Sequence, residues 1–330
     1  MNQKSDKLIW KYCKNKQNLS LTLAQMQNGH ESIVSYGQGA NLLEPEKRLY
    51  EIGSITKLFT SSLLAKLVLE GRVQLDQTID AYLSLPSSLN YPTLLELATH
   101  SSGYSDPLLF DSIPQSLSWS FSSSRKGENP FIPFEEEWLL ATAAALANKN
   151  KAKGKLKYSN FGYAVLGQVI GEVTGKGYYQ SMIDFIVFDL GLSETTFGAD
   201  ENRSIHGFKK GIDFGNWLWP SSSVFASAGC LNASAQDLLR FASLNLSGSL
   251  SYLSFAHELQ CSAGKKDGIG LGWMIDKKEN LLWHNGGTGL FHAFLGISKE
   301  KNSAVVALSN EVAYLSFSEQ ALALELAKSF

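Results

Sequence analysis

A serine and a lysine stand three residues apart in Glu51-Ile52-Gly53-Ser54-Ile55-Thr56-Lys57, where a strand-like run, Leu49 to Ile52, gives way to a helix-like run, Lys57 to Glu70. Positions i and i+3 lie on one face of a helix, one turn apart, so this spacing sets an amine beside a hydroxyl. A serine hydroxyl is a poor nucleophile near neutral pH and needs a neighbouring base. A lysine is that base only when burial or nearby positive charge lowers its pKa. Ser54 and Lys57 are therefore a candidate nucleophile and base. The same residues also fit an N-capping serine followed by a solvated lysine.

Two further segments carry chemistry. Lys157-Tyr158-Ser159-Asn160-Phe161-Gly162-Tyr163 opens a helix, and Tyr158 and Asn160 project to one side of an extended or turn segment. A Tyr hydroxyl beside a cationic lysine has its pKa lowered and exchanges protons with a serine or a leaving group. An Asn amide can hold a lysine and a substrate carbonyl. A partly buried aromatic beside a capping Ser159 or Asn160 fits the segment as well. Trp283-His284-Asn285-Gly286-Gly287-Thr288-Gly289 ends a strand, and its glycines allow close backbone approach to a ligand. A backbone N–H there and the N–H of Ser54 can form the two halves of an oxyanion hole. The bland alternative is a Gly-rich hairpin with a surface histidine. His284 and His292 lack a third ligand, so no metal is expected. Gly268-Ile-Gly270-Leu-Gly272 has no strand–helix context for a dinucleotide loop, and no cofactor is expected.

The elements that must position these residues read as follows. Leu19 to Met26 alternates as a half-buried strand, Asn28-Gly29 turns a hairpin, and Ile33 to Tyr36 returns. Leu49 to Ile52 is a third short strand leading to Ser54. Leu58 to Leu69 is a buried helix ended by Gly71. From 76 to 220 strand signals thin out. Helical runs Thr93 to Thr99, Phe134 to Ala147, Phe161 to Thr174 and Tyr178 to Leu190 alternate with Ser, Pro and Gly-rich loops, one of them 101–133. Beyond Ala226 come a helix from Ser234 to Leu244 and four strands: Gly270 to Ile275, Leu281 to Trp283, Phe291 to Ile297 and Ala304 to Leu308. Tyr314 to Phe330 reads as a final amphipathic helix, and residues 6–16 as a first one. The expectation is a mixed α/β (α+β) chain in which 1–75 and 221–330 form one sheet domain flanked by terminal helices, and 76–220 an inserted helical domain.

The 330 residues are 44 % hydrophobic and 18 % charged, with a net charge of −2, so nothing favours nucleic acid or an anionic membrane. Three cysteines, an odd number in neither a zinc nor a C-x-x-C pattern, argue against a disulfide or metal framework. No apolar run reaches 18 residues and the N-terminus has no h-region, so a cytoplasmic protein is expected.

Ser54-Ile-Thr-Lys57, Tyr158-Ser-Asn160 and His284-Asn-Gly286, in this order, resemble the serine β-lactamase and penicillin-binding protein superfamily. The Y-x-N form of the middle motif is similar to its class C branch, which also holds D,D-carboxypeptidases, D-aminopeptidases and family VIII esterases. Leu97-Ala-Thr-His-Ser-Ser-Gly103, Ala226-Ser-Ala-Gly229 and Ala233-Ser-Ala-Gln-Asp237 match the branch too, and the resemblance spans nearly the whole chain. It implies a sheet domain, a helical domain and a site in the crevice between them. Ser54 would be the acylated nucleophile and Lys57 its base. Tyr158 would pass a proton to the leaving group and activate the deacylating water. Asn160 would hold Lys57 and the substrate amide. His284 and Gly286 would line the third strand, and the N–H groups of Ser54 and Gly287 would bind the oxyanion. One departure matters: class C lactamases begin the third motif with Lys, and a neutral imidazole is a weaker partner for a carboxylate. An ester or D-amino-acid amide gains on a β-lactam as substrate. A strict β-lactamase, a D,D-carboxypeptidase, and a non-catalytic sensor on the same fold are the competing readings. Trp217, Trp219, Tyr104 and Phe110 are candidate walls of the crevice.

Overall fold

Two strands from opposite ends of the chain lie side by side inside the main sheet. The structure, a computed structural model, describes residues 3–43, 48–106, 128–147, 153–262 and 267–311. Phe110, much of the 101–133 loop and the expected helix from Tyr314 to Phe330 lie outside the described residues. In chain order, α1 (Gln3–Cys13) precedes β1 (Leu21–Gln27), β2 (His30–Tyr36) and β3 (Leu42–Leu43). β4 (Tyr50–Glu51) leads through a 3₁₀ turn, Gly53–Ile55, into α2 (Thr56–Leu69). Then come α3 (Leu94–Ala98), α4 (Glu136–Ala147), α5 (Asn160–Thr174) and α6 (Gly177–Asp184), the last running on as one π-helical turn, Phe185–Asp189. β5 (Thr195–Phe197), β6 (Gly207–Lys209), β7 (Ile212–Gly215), α7 (Ala226–Gly229), β8 (Leu231–Ala233), α8 (Ala235–Ser247) and α9 (Ser251–Ala256) follow. The chain closes with β9 (Cys261–Ser262), β10 (Asp267–Ile269), β11 (Met274–Asp276), β12 (Leu281–Gly287), β13 (His292–Ser298) and β14 (Ser303–Ser309).

The main sheet is antiparallel throughout, in the order β3-β2-β1-β14-β13-β12-β11-β10-β9. β1 and β14 pair from Leu21↔Ser309 to Gln27↔Ser303. Asn28 and Gly29 both take positive φ, 50° and 82°, the backbone a two-residue hairpin demands. One face of the sheet is covered by α1, whose Ile9, Tyr12 and Cys13 pack with Leu21, Leu23, Phe294 and Val305. The other face holds the larger core, centred on α2. Nearly every residue of α2 from Thr56 to Leu67 is buried, the condition of a helix apolar on all sides. α3, α5 and α8 start where side chains cap them. Thr93 forms a reciprocal cap with Glu96, Ser159 accepts from the Gly162 N–H, and Ser234 accepts from the Asp237 N–H.

The stretch 76–220 is less uniformly helical than expected. β5 joins β8 and β4 in a separate three-stranded sheet, and β6 and β7 form a hairpin. These strands are two to four residues long, too short to show a period-2 pattern, and β6 and β7 are partly exposed and polar. β10 was not expected either, because Asp267-Gly-Ile269 carries only one large apolar side chain. β12 runs on through Gly287, past the expected end at Trp283. Among the described residues no helix is long and apolar enough to cross a membrane.

Candidate active site

Ser54 sits in the 3₁₀ turn that joins β4 to α2, and Lys57 lies in the first turn of α2. The end of β12 presses against that turn, and two glycines make the approach possible. A Cβ on Gly286 would fall 1.9 Å from the Ile52 carbonyl oxygen and 3.1 Å from the Ser54 nitrogen. Gly53 takes φ 48°, and a Cβ there would meet the Gly287 backbone nitrogen at 2.7 Å. The Thr288 N–H donates to the Phe291 carbonyl at 3.1 Å, and Gly287 is opposite His292. Antiparallel pairs alternate, so Gly287 is a non-hydrogen-bonded pair and its N–H points away from β13, toward the Ser54 turn.

Lys57 is fully buried, and its Nζ touches three oxygens: Ser54 Oγ at 3.0 Å, Asn160 Oδ1 at 2.8 Å and the Ala228 carbonyl at 2.7 Å. Desolvation brings its pKa down to about 7, against an opposing pull from Asp106. A substantial share of the molecules therefore carries the free amine near neutral pH, far more than for an ordinary lysine. The alternative of a solvated lysine is excluded by its burial.

Tyr158 directly precedes the Ser159 cap, and Asn160 is the first residue of α5. The Tyr158 ring lies 4.9 Å from the Lys57 ammonium. The expected lowering of the Tyr158 pKa is not found. Burial raises the phenol, Ser54 opposes, and Tyr163 and Asp106 add to the rise. The residue keeps 41 % of its surface exposed, so solvent tempers the push, but the direction makes Tyr158 a phenol at neutral pH. The reason is desolvation: burial is the largest effect on the phenol and outweighs the opposing effect of Ser54.

His284 is buried, not a surface residue. Its Nδ1 contacts the Asn285 carbonyl, which can only accept, so Nδ1 carries the proton. Nε2 is then a bare acceptor, and it is buried without a protein partner among the described residues. Burial first, then the Lys57 charge, lower the His284 pKa to about 3, so the ring is neutral across the ordinary range. The structure thus brings Ser54, Lys57, Tyr158, Asn160, His284, Gly286 and Gly287 together about the Ser54 turn.

A model of the family described as Beta-lactamase matches residues 7–327. The chain belongs to the beta-lactamase family. A beta-lactamase of Providencia stuartii is 25 % identical over 251 residues, which cover 74 % of this chain and 60 % of that protein. The D-alanyl-D-alanine-carboxypeptidase/endopeptidase AmpH of Escherichia coli (strain K12) is 24 % identical over 319 residues, 86 % of this chain and 77 % of its own. A class C beta-lactamase in complex with cefoxitin superposes with a TM-score of 0.79 at 19 % identity, over 99 % of this chain and 98 % of that one.

The accessory segments of this beta-lactamase-family chain have visible jobs. Ala228, in α7, supplies the carbonyl that accepts from Lys57. His100 stacks against Tyr158 with ring centres 4.4 Å apart, and its Nδ1 accepts from the Ser159 N–H. Sequence reasoning missed Asp106, whose carboxyl group accepts from the Asn160 amide at 3.0 Å and from the Phe161 N–H at 2.8 Å. It also missed Glu51, buried one turn before Ser54, which accepts from the Trp217 N–H at 2.6 Å. Neither position has a motif spacing that could have found it. Tyr104 is not a wall residue: it is fully buried and donates to the Ala143 carbonyl. Trp217 and Trp219 are half-buried and cluster with Phe131, and Trp217 lies against Gly289, two residues beyond Gly287. A cavity of ≈ 850 Å³ beside α4 and α5, lined by Glu135, Glu137 and Glu172, contains none of the seven site residues.

Proposed function

We propose that this protein is a serine hydrolase that forms an acyl-enzyme on Ser54 and hydrolyses a small ester or D-amino-acid amide. The observation that carries the reading is the Lys57 amine, fully buried and 3.0 Å from the Ser54 hydroxyl, where desolvation lowers its pKa to about 7. The free amine takes the serine proton as the oxygen attacks the substrate carbonyl. The oxyanion is held by the N–H groups of Ser54 and Gly287. Tyr158 gives its proton to the departing oxygen or nitrogen, which leaves a phenolate beside the Lys57 ammonium. In the second half the phenolate takes a proton from the attacking water, and Lys57 returns its proton to Ser54 as that oxygen leaves. Ser54, Lys57 and His284 come from 1–75 and 221–330, and Tyr158 and Asn160 from 76–220; we propose that the two parts are the sheet and helical domains and that the site lies at their junction.

The neutral His284 favours a substrate without an essential carboxylate beside the reacting carbonyl. Its bare Nε2 accepts a hydrogen bond and offers no charge. A second reading, a strict β-lactamase or a D,D-carboxypeptidase, draws support from the Providencia and AmpH relatives. The test is labelling with a fluorophosphonate and with a fluorescent penicillin, followed by mass spectrometry of the adduct. An adduct on Ser54 with turnover of simple esters is expected. No adduct with either probe rejects the hydrolase reading. Rapid nitrocefin turnover selects the β-lactamase, and a stable penicillin adduct the carboxypeptidase.

A further inference from the structure

We propose that Asp106 is a positioning residue that sets which way the Lys57 lone pair points, by fixing the amide of Asn160. The proposal rests on the reading of Lys57 as the base for Ser54.

A neutral lysine has two N–H bonds and one lone pair. Its three neighbours are the Ala228 carbonyl, Asn160 Oδ1 and Ser54 Oγ, and only Ser54 can donate. If both N–H bonds go to Ala228 and Asn160, the lone pair is left facing the serine proton. The Ala228 carbonyl is an acceptor whatever happens. The Asn160 side chain is not: turned over, it presents NH₂ to Lys57, captures the lone pair and leaves Ser54 without a base.

Asp106 prevents that turn. Its Oδ2 accepts from Asn160 Nδ2 at 3.0 Å, and its Oδ1 accepts from the Phe161 N–H at 2.8 Å and from the Ser159 hydroxyl at 3.4 Å. The group is ringed by donors at the first turn of α5, so it faces Asn160 as an acceptor and the amide must offer it NH₂. Oδ1 is thereby committed to Lys57. Asp106 also pulls on Lys57 electrostatically, which opposes the effect of burial.

The test compares Asp106→Asn, Asp106→Ala and the double variant Asp106→Asn/Asn160→Asp. In Asp106→Asn the side-chain oxygen stays with the Phe161 N–H, so the new NH₂ faces Asn160 and turns it over. The rate of Ser54 labelling by a fluorophosphonate is expected to fall roughly a hundredfold, the low end of a general-base contribution. Asp106→Ala is expected to lose less, because Asn160 is then free to follow Lys57. In the plateau above the titration of Lys57, the double variant is expected to recover at least about tenfold over Asp106→Asn, since a carboxyl at 160 accepts from both sides; its charge beside Lys57 moves the acidic limb to higher pH. A purely structural role predicts the reverse order, with isosteric Asn milder than Ala. Removing the carboxyl in Asp106→Ala is also expected to move the acidic limb of the labelling rate to lower pH. Asp106→Asn labelling as fast as Asp106→Ala, a double variant no better than Asp106→Asn, or an unmoved acidic limb each overturns the proposal. Amide orientation has its own readout: in ¹⁵N-labelled protein the Asn160 NH₂ protons approach the Phe161 N–H in the wild type and the Lys57 side chain in Asp106→Asn. That readout still decides the matter if wild-type Ser54 takes no label, a result that would reject the hydrolase reading instead.

Discussion

Lys57 carries two opposite consequences of one burial. Its pKa falls from 10.5 to about 7, so the base is free above neutrality and kcat/KM is expected to drop as pH falls below about 7. Lys57→Met should abolish Ser54 labelling while keeping the side-chain volume. The stability effect has a definite sign. Between pH 7 and 10.5 the unfolded chain binds a proton at this lysine that the native state does not, so the wild type gains stability with rising pH. Against Lys57→Met, denaturant titrations at pH 7.5 and 9.5 should show the wild type gaining about 2 kcal/mol, from ~1.4 kcal/mol per pH unit. A flat difference would place the Lys57 pKa elsewhere. His284 offers a second test. His284→Lys puts a cation where burial and Lys57 already resist one, so a lower melting temperature is expected. The surviving enzyme should shift its labelling preference from the fluorophosphonate toward penicillin, whose carboxylate the new ammonium can meet. These side chains were legible because proton transfer needs particular residue types at fixed spacings. Asp106 and the Ala228 carbonyl were not. A backbone carbonyl has no residue-type signature, and Asp106 meets its partner across 54 positions of chain.

At the scale of elements, the site depends on β12 reaching the Ser54 turn at backbone distance. Gly286→Ala is the direct probe. Its methyl would lie 1.9 Å from the Ile52 oxygen, a clash with backbone that no side-chain rotation relieves. The strand must retreat, which separates the Gly287 N–H from Ser54. A loss of about 1–3 kcal/mol is expected from overpacking, together with a fall in labelling rate larger than that stability loss accounts for. Thermal melting and labelling kinetics on one preparation separate the two. Alternation made the long strands of the main sheet legible from sequence, and Ser159 and Ser234 marked the starts of α5 and α8. Pairing register was not legible, nor was the small sheet that carries Glu51. Tyr50–Glu51 falls within the expected strand Leu49 to Ile52, but its partner Leu231–Ala233, three residues with no period to read, lies some 180 positions away.

Across the whole molecule, the main sheet separates two cores of unequal purpose. The residues proposed here for chemistry lie on α2 or beside its start, on that side of the sheet, and none belongs to the α1 cluster. β1 and β14 join the faces mechanically, because each alternates side chains between them: Ala24, Met26, Val306 and Leu308 serve the α2 core, while Leu21, Leu23, Val305 and Ala307 serve the α1 face. A cavity opened on the α1 face should therefore lower global stability and leave the site's geometry intact. Ile9 is 2 % exposed and packs in that cluster, so Ile9→Ala is expected to remove about 2–5 kcal/mol. At a temperature where the variant is still folded, kcat/KM and its acidic limb near pH 7 should match the wild type. A changed limb would mean that packing at α1 reaches Lys57 through the sheet, and that the two faces act as one unit.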